Sequence, residues 1–207
     1  MTANQTLEAI SLFPQENMTS LLVMLHGWGA NYQDLAGLTQ MLNLPGFGYL
    51  FPNAPFKHPQ VPGGRAWYAL ESPDYDGIDQ SRQLLFEWLN ALAENTNVSL
   101  SSTYVAGFSQ GGAMTLDVAL TLPVAGICSM SGYLHYEPQS SKAEKPPVLL
   151  IHGTQDPVVP ISEAINARDK LAATGVQVQY QEFAMGHEIT PAVLELLQEF
   201  LTVNSQQ

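Results

Sequence analysis

Two kinds of residue are scarce in this chain of 207 residues, and each scarcity excludes a class of protein. A single cysteine, Cys128, permits no disulfide within the chain and no cysteine cluster for zinc. The 7 Lys and Arg against 19 Asp and Glu give a formal charge of −12, which repels nucleic acid and anionic lipid surfaces. We therefore expect no nucleic-acid partner.

Long apolar segments are also missing. No uninterrupted apolar run approaches the roughly 18 residues of a membrane-spanning helix. The N-terminus has no basic residue followed by an apolar segment of signal-peptide length. The sequence thus predicts a cytoplasmic protein without stable membrane insertion. Its length and its 45% of hydrophobic residues favour a single domain over residues 1–207.

Short β-like runs alternate with amphipathic helical segments along the chain. Strands are predicted at residues 7–12, 21–25, 49–51, 103–107, 125–129, 148–152 and 176–183. Helices are predicted at residues 32–42, 79–93, 110–122, 161–173 and 190–203, with Asp79 and Thr190 as N-caps. This alternation predicts an α/β fold with a mostly parallel sheet of about seven strands and helices on both faces.

The segment 52–77 is irregular and rich in proline, glycine and aromatic residues. A segment of that length without regular structure is uncommon inside a compact domain unless it is functional. We therefore interpret it as a flap over a site.

The strongest local motif is G-x-S-x-G, formed by Gly107, Ser109 and Gly111. It ends a predicted strand and opens a predicted helix, which is the setting of a nucleophile elbow. The glycines leave room for a sharp turn that holds the serine in a strained, exposed position. The motif predicts Ser109 as a nucleophile.

A serine hydroxyl needs a base to take its proton, and the base needs an orienting acid. After Ser109 the chain offers Asp156 and then His187, each in a loop that follows a predicted strand. The carboxyl ends of parallel strands meet at one edge of a sheet, where open α/β sheets bind ligands. We expect Ser109, Asp156 and His187 to form a catalytic triad.

Other residues of the same types are weaker candidates. His26 and His152 precede glycines at strand ends and suggest turn or packing roles, whereas His58 and His135 come before the acid in the chain. Asp117 and Asp169 are interpreted as solvated surface charges. No flanking glycine pair supports the remaining serines that follow a strand, Ser129 and Ser131.

Acyl transfer also requires backbone donors for the developing oxyanion. The amide of Gln110 follows the nucleophile at a helix N-terminus, where the helix dipole favours negative charge. A second donor is expected from the glycine-rich loop 25–31, although a plain tight turn is the alternative interpretation of that loop.

Six motifs together resemble one known family. They are His26-Gly27-Trp28-Gly29, Pro52-Asn53-Ala54-Pro55, Trp67-Tyr68, the elbow at 107–112, the segment 152–160 and Met185-Gly186-His187. The motifs occur in this order between about residues 20 and 200. With them the chain resembles the phospholipase/carboxylesterase family of α/β-hydrolases, which includes the acyl-protein thioesterases.

The resemblance implies Ser109, Asp156 and His187 as the triad and the amides of Trp28 and Gln110 as the oxyanion hole. It implies no cofactor and no metal, and a monomer or a homodimer. It also implies hydrolysis of carboxylic esters, some lysophospholipids and some acyl thioesters.

The chain departs from the family pattern near the expected acyl pocket. Trp28 stands where leucine is common, and Ala69 and Leu70 follow the Trp-Tyr pair where an acid often occurs. The substrate length is therefore not inherited from relatives. Candidate pocket residues, for which ordinary packing is the alternative, are Trp28, Phe56, Trp67, Tyr68, Phe108 and Val158.

The sequence predicts a serine carboxylesterase that acts on short- to medium-chain esters through an acyl-enzyme. An acyl-protein thioesterase or a lysophospholipase would use the same triad. A hydrolase-fold receptor that binds a small ligand without turnover is the alternative outside the enzymes.

Overall fold

The computed structural model describes residues 6–15, 17–138 and 145–205. Its main sheet has seven strands in the order β1-β3-β2-β6-β7-β8-β9, all parallel except the antiparallel edge strand β1. These strands are β1 (Ala9–Leu12), β2 (Ser20–Leu25), β3 (Phe47–Pro52), β6 (Thr103–Phe108), β7 (Gly126–Met130), β8 (Val148–Gly153) and β9 (Val178–Phe183). The predicted α/β class and mostly parallel sheet are confirmed.

The helices are α1 (Tyr32–Ala36), α2 (Ile78–Asn90), α3 (Leu92–Thr96), α4 (Gln110–Ala119), α5 (Ile161–Ala173) and α6 (Pro191–Asn204). The alternation of side chains along the strands explains why helices cover both faces of the sheet. In β2, Leu21 and Val23 pack in one apolar core with α2, α4 and α5, whereas Leu22 and Met24 pack in another with α1 and α6. Strands buried on both faces therefore show continuous apolar runs.

Two predicted helices are shorter or divided. The segment 32–42 forms α1 and then a 3-10 turn at Gly37–Met41, and the segment 79–93 forms α2 and α3. Asp79 is not an N-cap: it lies in the first turn of α2, and the residue before that helix is Gly77, with φ of 92°. Thr190 is confirmed as the N-cap of α6, because its hydroxyl accepts the amide of Val193.

The flap segment 52–77 is anchored along its length and contains a short antiparallel pair, β4 (Phe56–Lys57) and β5 (Arg65–Ala66). The amide of Gly29 donates to the carbonyl of Arg65 at 2.9 Å, and the amide of Arg65 donates to the carbonyl of Ala30 at 2.8 Å. The flap is thus hydrogen-bonded to the glycine-rich loop that follows β2.

None of the helices in residues 6–15, 17–138 and 145–205 is long and apolar enough to cross a membrane. Residues 1–5, on which the expected lack of a signal peptide rests, lie outside the described residues. Cys128 is a buried free thiol in β7.

Candidate active site

Ser109 occupies a sharp turn between β6 and α4, with φ of 54° and ψ of −120°. Such a left-handed φ is costly for a residue with a side chain and persists only where its surroundings impose it. A Cβ at Gly107 would lie 2.2 Å from the carbonyl oxygen of Gly111, and one at Gly111 would lie 2.2 Å from that of Leu25. Gly107 is therefore required where β6 approaches α4, and Gly111 is required where α4 approaches the end of β2.

Three side chains from separate loops form one hydrogen-bonded chain at the carboxyl edge of the sheet. His187 Nε2 lies 2.9 Å from Ser109 Oγ, and His187 Nδ1 lies 2.6 Å from Asp156 Oδ2. Since an ionised carboxylate only accepts, Nδ1 carries the proton and Nε2 of the neutral ring is free to accept from the serine. This arrangement suits a nucleophile, a base and an orienting acid.

Asp156 is held as a carboxylate by several donors. Burial raises its pKa, but the hydrogen bonds from His187 and from the amides of Val159 and Val158 outweigh burial and hold the pKa below its usual range. The two amides donate to Oδ1 at 2.9 and 2.8 Å, which leaves Oδ2 for His187. The turn that contains Asp156, Val158 and Val159 therefore holds the carboxylate in place independently of His187.

The glycine-rich loop after β2 lies against the elbow. A Cβ at Gly27 would lie 3.3 Å from Ser109 Cβ, so the residue before Trp28 lies beside the nucleophile. His26 fixes this loop, since its Nδ1 donates to the Gly27 carbonyl at 2.8 Å and its Nε2 accepts the amide of Ala54 at 3.0 Å. Burial lowers the pKa of His26 to about 4.

The side chain of Gln110 clamps the flap to the elbow, a role that the sequence did not reveal. Its Oε1 accepts the amide of Trp67 at 2.9 Å, and its Nε2 donates to the carbonyl of Tyr68 at 2.9 Å. The amide of Gln110 is at the start of α4, where the first amides have no partner within the helix. The clamp therefore holds in place the residue whose amide the sequence predicts as an oxyanion donor.

A cavity of about 560 Å³ is lined mostly by residues of the flap. Trp28, Phe56 and Tyr68 line it, with Lys57, Glu71 and Asp76 among the charged lining residues. Three of the six expected pocket residues thus lie on this cavity.

The other three expected pocket residues have different surroundings. Trp67 is fully buried, and its indole donates to the carbonyl of His26 at 2.9 Å. The Phe108 ring packs on the His187 ring with centroids 4.8 Å apart, and the side chain of Val158 is 64% exposed.

Asp117 differs most from its sequence interpretation. The Asp117 side chain is 7% exposed and pairs with Arg82 and His135, each at 2.7 Å, so the interpretation as a solvated charge is wrong. The helical periodicity did not reveal this burial because the partners lie 35 and 18 residues away. Asp169 is a surface charge, as expected, and is paired with Arg168.

The remaining histidines are not part of the hydrogen-bonded chain to Ser109. The buried His152 donates from Nε2 to the carbonyl of Val159, 2.9 Å away, because a carbonyl only accepts. His58 accepts the amides of Gln60 and Val61 with Nδ1. Within the described ranges, no three His, Cys, Asp or Glu side chains are grouped to hold a metal ion.

Comparison with known proteins gives a consistent result. The family model described as phospholipase/carboxylesterase matches residues 8–205. Acyl-protein thioesterase 1 of Saccharomyces cerevisiae is 28% identical over 209 residues, covering 87% of this chain and 90% of that protein. The protein of the same name from Schizosaccharomyces pombe is 32% identical over 180 residues, covering 77% of this chain and 78% of the relative.

Solved structures share the architecture. The crystal structure of esterase PE8 superimposes with a TM-score of 0.87 and 31% identity, covering 96% of this chain and 99% of that one. The Bacillus cereus carboxylesterase, at 16% identity, superimposes with a TM-score of 0.82 and covers 97% of this chain and 96% of its own. The second similarity is one of fold alone.

Proposed function

Because the chain belongs to the phospholipase/carboxylesterase family of α/β-hydrolases, we propose that it is a serine carboxylesterase that cleaves short- to medium-chain esters through an acyl-enzyme. The observation that carries this proposal is the chain of hydrogen bonds from Asp156 through His187 to Ser109. The strained turn at Ser109 adds support, since such strain is concentrated at functional sites.

In the first half of the reaction, His187 Nε2 takes the proton of Ser109 as Oγ forms a bond to the ester carbonyl carbon. The carbonyl oxygen becomes an oxyanion, which accepts hydrogen bonds from the amides of Trp28 and Gln110. The intermediate then collapses, the bond to the alkoxy oxygen breaks, and His187 returns its proton to the leaving alcohol. Asp156 stabilises the imidazolium that exists between these two transfers.

In the second half, a water molecule takes the place of the alcohol. His187 removes a proton from this water as its oxygen attacks the acyl-enzyme, and the proton then passes to Ser109 Oγ as the carboxylic acid leaves. Each oxyanion donor is expected to contribute about 3–4 kcal/mol to the stabilisation of the transition state.

The cavity lined by the flap is the proposed acyl site. Its aromatic walls, Trp28, Phe56 and Tyr68, suit an apolar chain, and Lys57, Glu71 and Asp76 place charge on the same cavity. An aliphatic chain of short to medium length fits the apolar walls without bringing unpaired polar groups into contact with them.

A thioesterase or lysophospholipase activity is the second candidate. The observation in its favour is that the curated relatives at 28% and 32% identity are acyl-protein thioesterases. The same acyl-enzyme would form, with a thiolate or a glycerophosphate alcohol as the leaving group. A receptor without turnover is the alternative outside the enzymes, and the intact chain of hydrogen bonds argues against it.

The test is hydrolysis of p-nitrophenyl esters from acetate to palmitate by the wild type and by Ser109→Ala. We expect an optimum at short or medium chains and loss of turnover in the variant. Ser101→Ala, which changes an exposed serine in a surface turn, is the matched control and keeps full activity. Turnover by a clean preparation of Ser109→Ala would overturn the proposal.

Labelling by a fluorophosphonate distinguishes the alternatives. Labelling that requires Ser109, with no turnover of any p-nitrophenyl ester, would favour the thioesterase or lysophospholipase. The absence of both labelling and turnover would favour the receptor.

A further inference from the structure

Two consecutive buried residues of the flap contact both halves of the proposed oxyanion hole. Trp67 and Tyr68 are hydrogen-bonded through their backbone to the side chain of Gln110, which begins α4. The indole of Trp67 also donates to the carbonyl of His26, in the glycine-rich loop that follows β2. The hydroxyl of Ser81 in α2 donates to the carbonyl of Trp67 and so holds this part of the flap in place. We call Trp67 and Tyr68 the brace.

On the side of the elbow, the brace binds a buried side chain. Gln110 is 1% exposed; its Oε1 accepts the amide of Trp67, and its Nε2 donates to the carbonyl of Tyr68, each at 2.9 Å. A side-chain amide supplies one acceptor and one donor, which are the groups that these two backbone atoms require. Because the brace is fully buried, loss of the Gln110 amide would leave an N–H and a carbonyl without partners.

On the side of the glycine-rich loop, the brace binds a carbonyl that also lies against α4. Trp67 Nε1 donates to the carbonyl oxygen of His26 at 2.9 Å. A Cβ at Gly111, in the first turn of α4, would lie 2.6 Å from this same oxygen. The His26 carbonyl is therefore the point at which the loop, the brace and the first turn of α4 meet.

His26 also fixes the direction of the Trp28 amide. Its Nδ1 donates to the carbonyl of Gly27 at 2.8 Å, and the peptide unit that contains this carbonyl ends in the amide of Trp28. In a planar trans peptide the N–H points away from the C=O. The Trp28 amide therefore points away from the His26 ring, in a direction that depends on the placement of His26.

Both proposed oxyanion donors are available. Over residues 6–15, 17–138 and 145–205, neither the amide of Trp28 nor that of Gln110 donates to a backbone oxygen. The two amides follow β2 and β6, which are neighbours in the sheet. Stabilisation of an oxyanion requires both amides to lie about 2.7–3.1 Å from one oxygen. A small change in their separation would therefore weaken one of the two hydrogen bonds.

We propose that the brace sets the separation of the two oxyanion donors, with the side chains of Gln110 and Trp67 as positioning residues. The inference rests on the proposed esterase function. Both side chains are buried, so they act on the transition state through the amides of Trp28 and Gln110 and not by contact with the substrate. This role is separate from that of the cavity walls, which are proposed to bind the acyl chain.

The experiment compares p-nitrophenyl butyrate with its thiono analogue, in which sulfur replaces the carbonyl oxygen. Sulfur accepts hydrogen bonds weakly, so two well-placed amides favour the oxygen ester. The ratio of kcat/KM for the oxygen ester to that for the thiono ester is divided by the ratio of their rates of hydrolysis by hydroxide. This normalised ratio reports the oxyanion donors and does not depend on the amount of folded enzyme. We expect it to be on the order of 10² for the wild type.

Two variants each remove one contact of the brace. Gln110→Met keeps the length of the side chain without its hydrogen bonds, and Trp67→Phe keeps an aromatic ring without the indole N–H. We expect each to lower the normalised ratio about tenfold, less than the roughly 10²–10³-fold loss that follows removal of a whole donor. Trp88→Phe, which changes a partly buried tryptophan of α2, is the matched control and retains the wild-type ratio.

Gln110→Glu tests whether the hydrogen bonds of this side chain are what matters. Burial beside the Tyr68 carbonyl favours the neutral form of the introduced carboxyl. A neutral carboxyl has one acceptor and one donor, as the amide does, so at pH 6 this variant should keep the ratio within about twofold of the wild type. An equal fall in Gln110→Met and Gln110→Glu would assign the effect to packing around α4 and overturn the proposal.

A wild-type normalised ratio near one would overturn the proposal, as would an unchanged ratio in either Gln110→Met or Trp67→Phe. If these side chains only stabilise the fold, both variants lower the midpoint of thermal unfolding and leave the ratio at its wild-type value. Failure of the proposed function is separately visible, because it would appear as ester hydrolysis that persists in Ser109→Ala.

Discussion

The neutral imidazole of His26 ties the proposed oxyanion loop to the start of the flap. It uses both ring nitrogens, one as a donor to Gly27 and one as an acceptor from Ala54. A protonated ring would lose the acceptor and leave the buried amide of Ala54 without a partner. Burial accordingly lowers the pKa of His26 to about 4 from 6.5.

This shift predicts a loss of stability in mild acid. Between pH 6.5 and 4 the unfolded chain binds a proton at His26 that the folded protein excludes. The stabilisation that comes from keeping His26 neutral is therefore complete above pH 6.5. As the pH drops, the free energy of unfolding falls by up to about 3 kcal/mol. Urea denaturation across this range should show a weaker dependence on pH in His26→Gln than in the wild type. An equal slope in both proteins would contradict the assigned cause.

Replacing Asp156 by asparagine tests the orientation of the His187 imidazole more sharply than removing the Asp156 side chain would. In Asp156→Asn the amide can donate to Nδ1, which favours the tautomer with its proton on Nε2, and that nitrogen then cannot accept from Ser109. We expect kcat to fall by roughly 10³–10⁴-fold with the fold retained. Circular dichroism and fluorophosphonate labelling rates would be measured beside turnover, and a fall below tenfold would argue against Asp156 as the orienting acid.

Residues with local signatures were easier to find in the sequence than residues defined by distant contacts. Ser109, Asp156 and His187 each follow a strand, and a parallel sheet gathers such positions at one edge. Trp67 and Asp117 lack a local signature. Their environments depend on His26, Arg82 and His135, which are remote in the chain.

Two aromatic residues of the flap are expected to respond differently to truncation, because Trp67 is fully buried whereas Phe56 is half-buried and lines the cavity. Trp67 is fully buried and hydrogen-bonded at its indole, so Trp67→Ala should lower the free energy of unfolding by about 3–5 kcal/mol. Thermal unfolding measures this loss. A stable Trp67→Ala protein with an altered preference for chain length would instead place Trp67 on the substrate.

Phe56 is half-buried and lines the cavity, with its ring over Gly77. Phe56→Ala should shift the optimum towards longer acyl chains, because each further buried methylene contributes up to about 0.8 kcal/mol, roughly fourfold in kcat/KM. The series of p-nitrophenyl esters measures this shift. An unchanged profile in a folded Phe56→Ala protein would exclude this cavity as the acyl site.

Elements with strong apolar periodicity were predictable, and their ends less so. The helix at 161–173 has the predicted bounds, whereas the segment 32–42 leaves the α-helix after Ala36 and tightens into a 3-10 turn. Leu42 at the end of this segment, and Leu44 after it, thereby reach the same apolar core as Leu35 of α1. The periodicity of apolar residues does not predict this change from an α-helix to a 3-10 turn, because tertiary packing determines it.

At the scale of the whole molecule, the formal charge of −12 acts on every approaching substrate. An anionic ester is repelled and a neutral one is not, and salt screens this repulsion within about 10 Å at 0.1 M. We expect kcat/KM for mono-p-nitrophenyl succinate to rise severalfold between 10 and roughly 300 mM NaCl. The kcat/KM for p-nitrophenyl butyrate, which is neutral, should stay nearly constant. Equal salt dependence of the two esters would contradict an electrostatic origin.

The order of the strands has a consequence for the newly synthesised protein. Ser109, Asp156 and His187 follow β6, β8 and β9, and among the described residues β9 is the edge strand that pairs with β8. A chain still emerging from the ribosome therefore holds its serine without its histidine until the 78 residues from Ser109 to His187 have been added. On the proposed mechanism, hydrolysis can begin only after this late strand has docked, so the appearance of esterase activity would report the docking of β9.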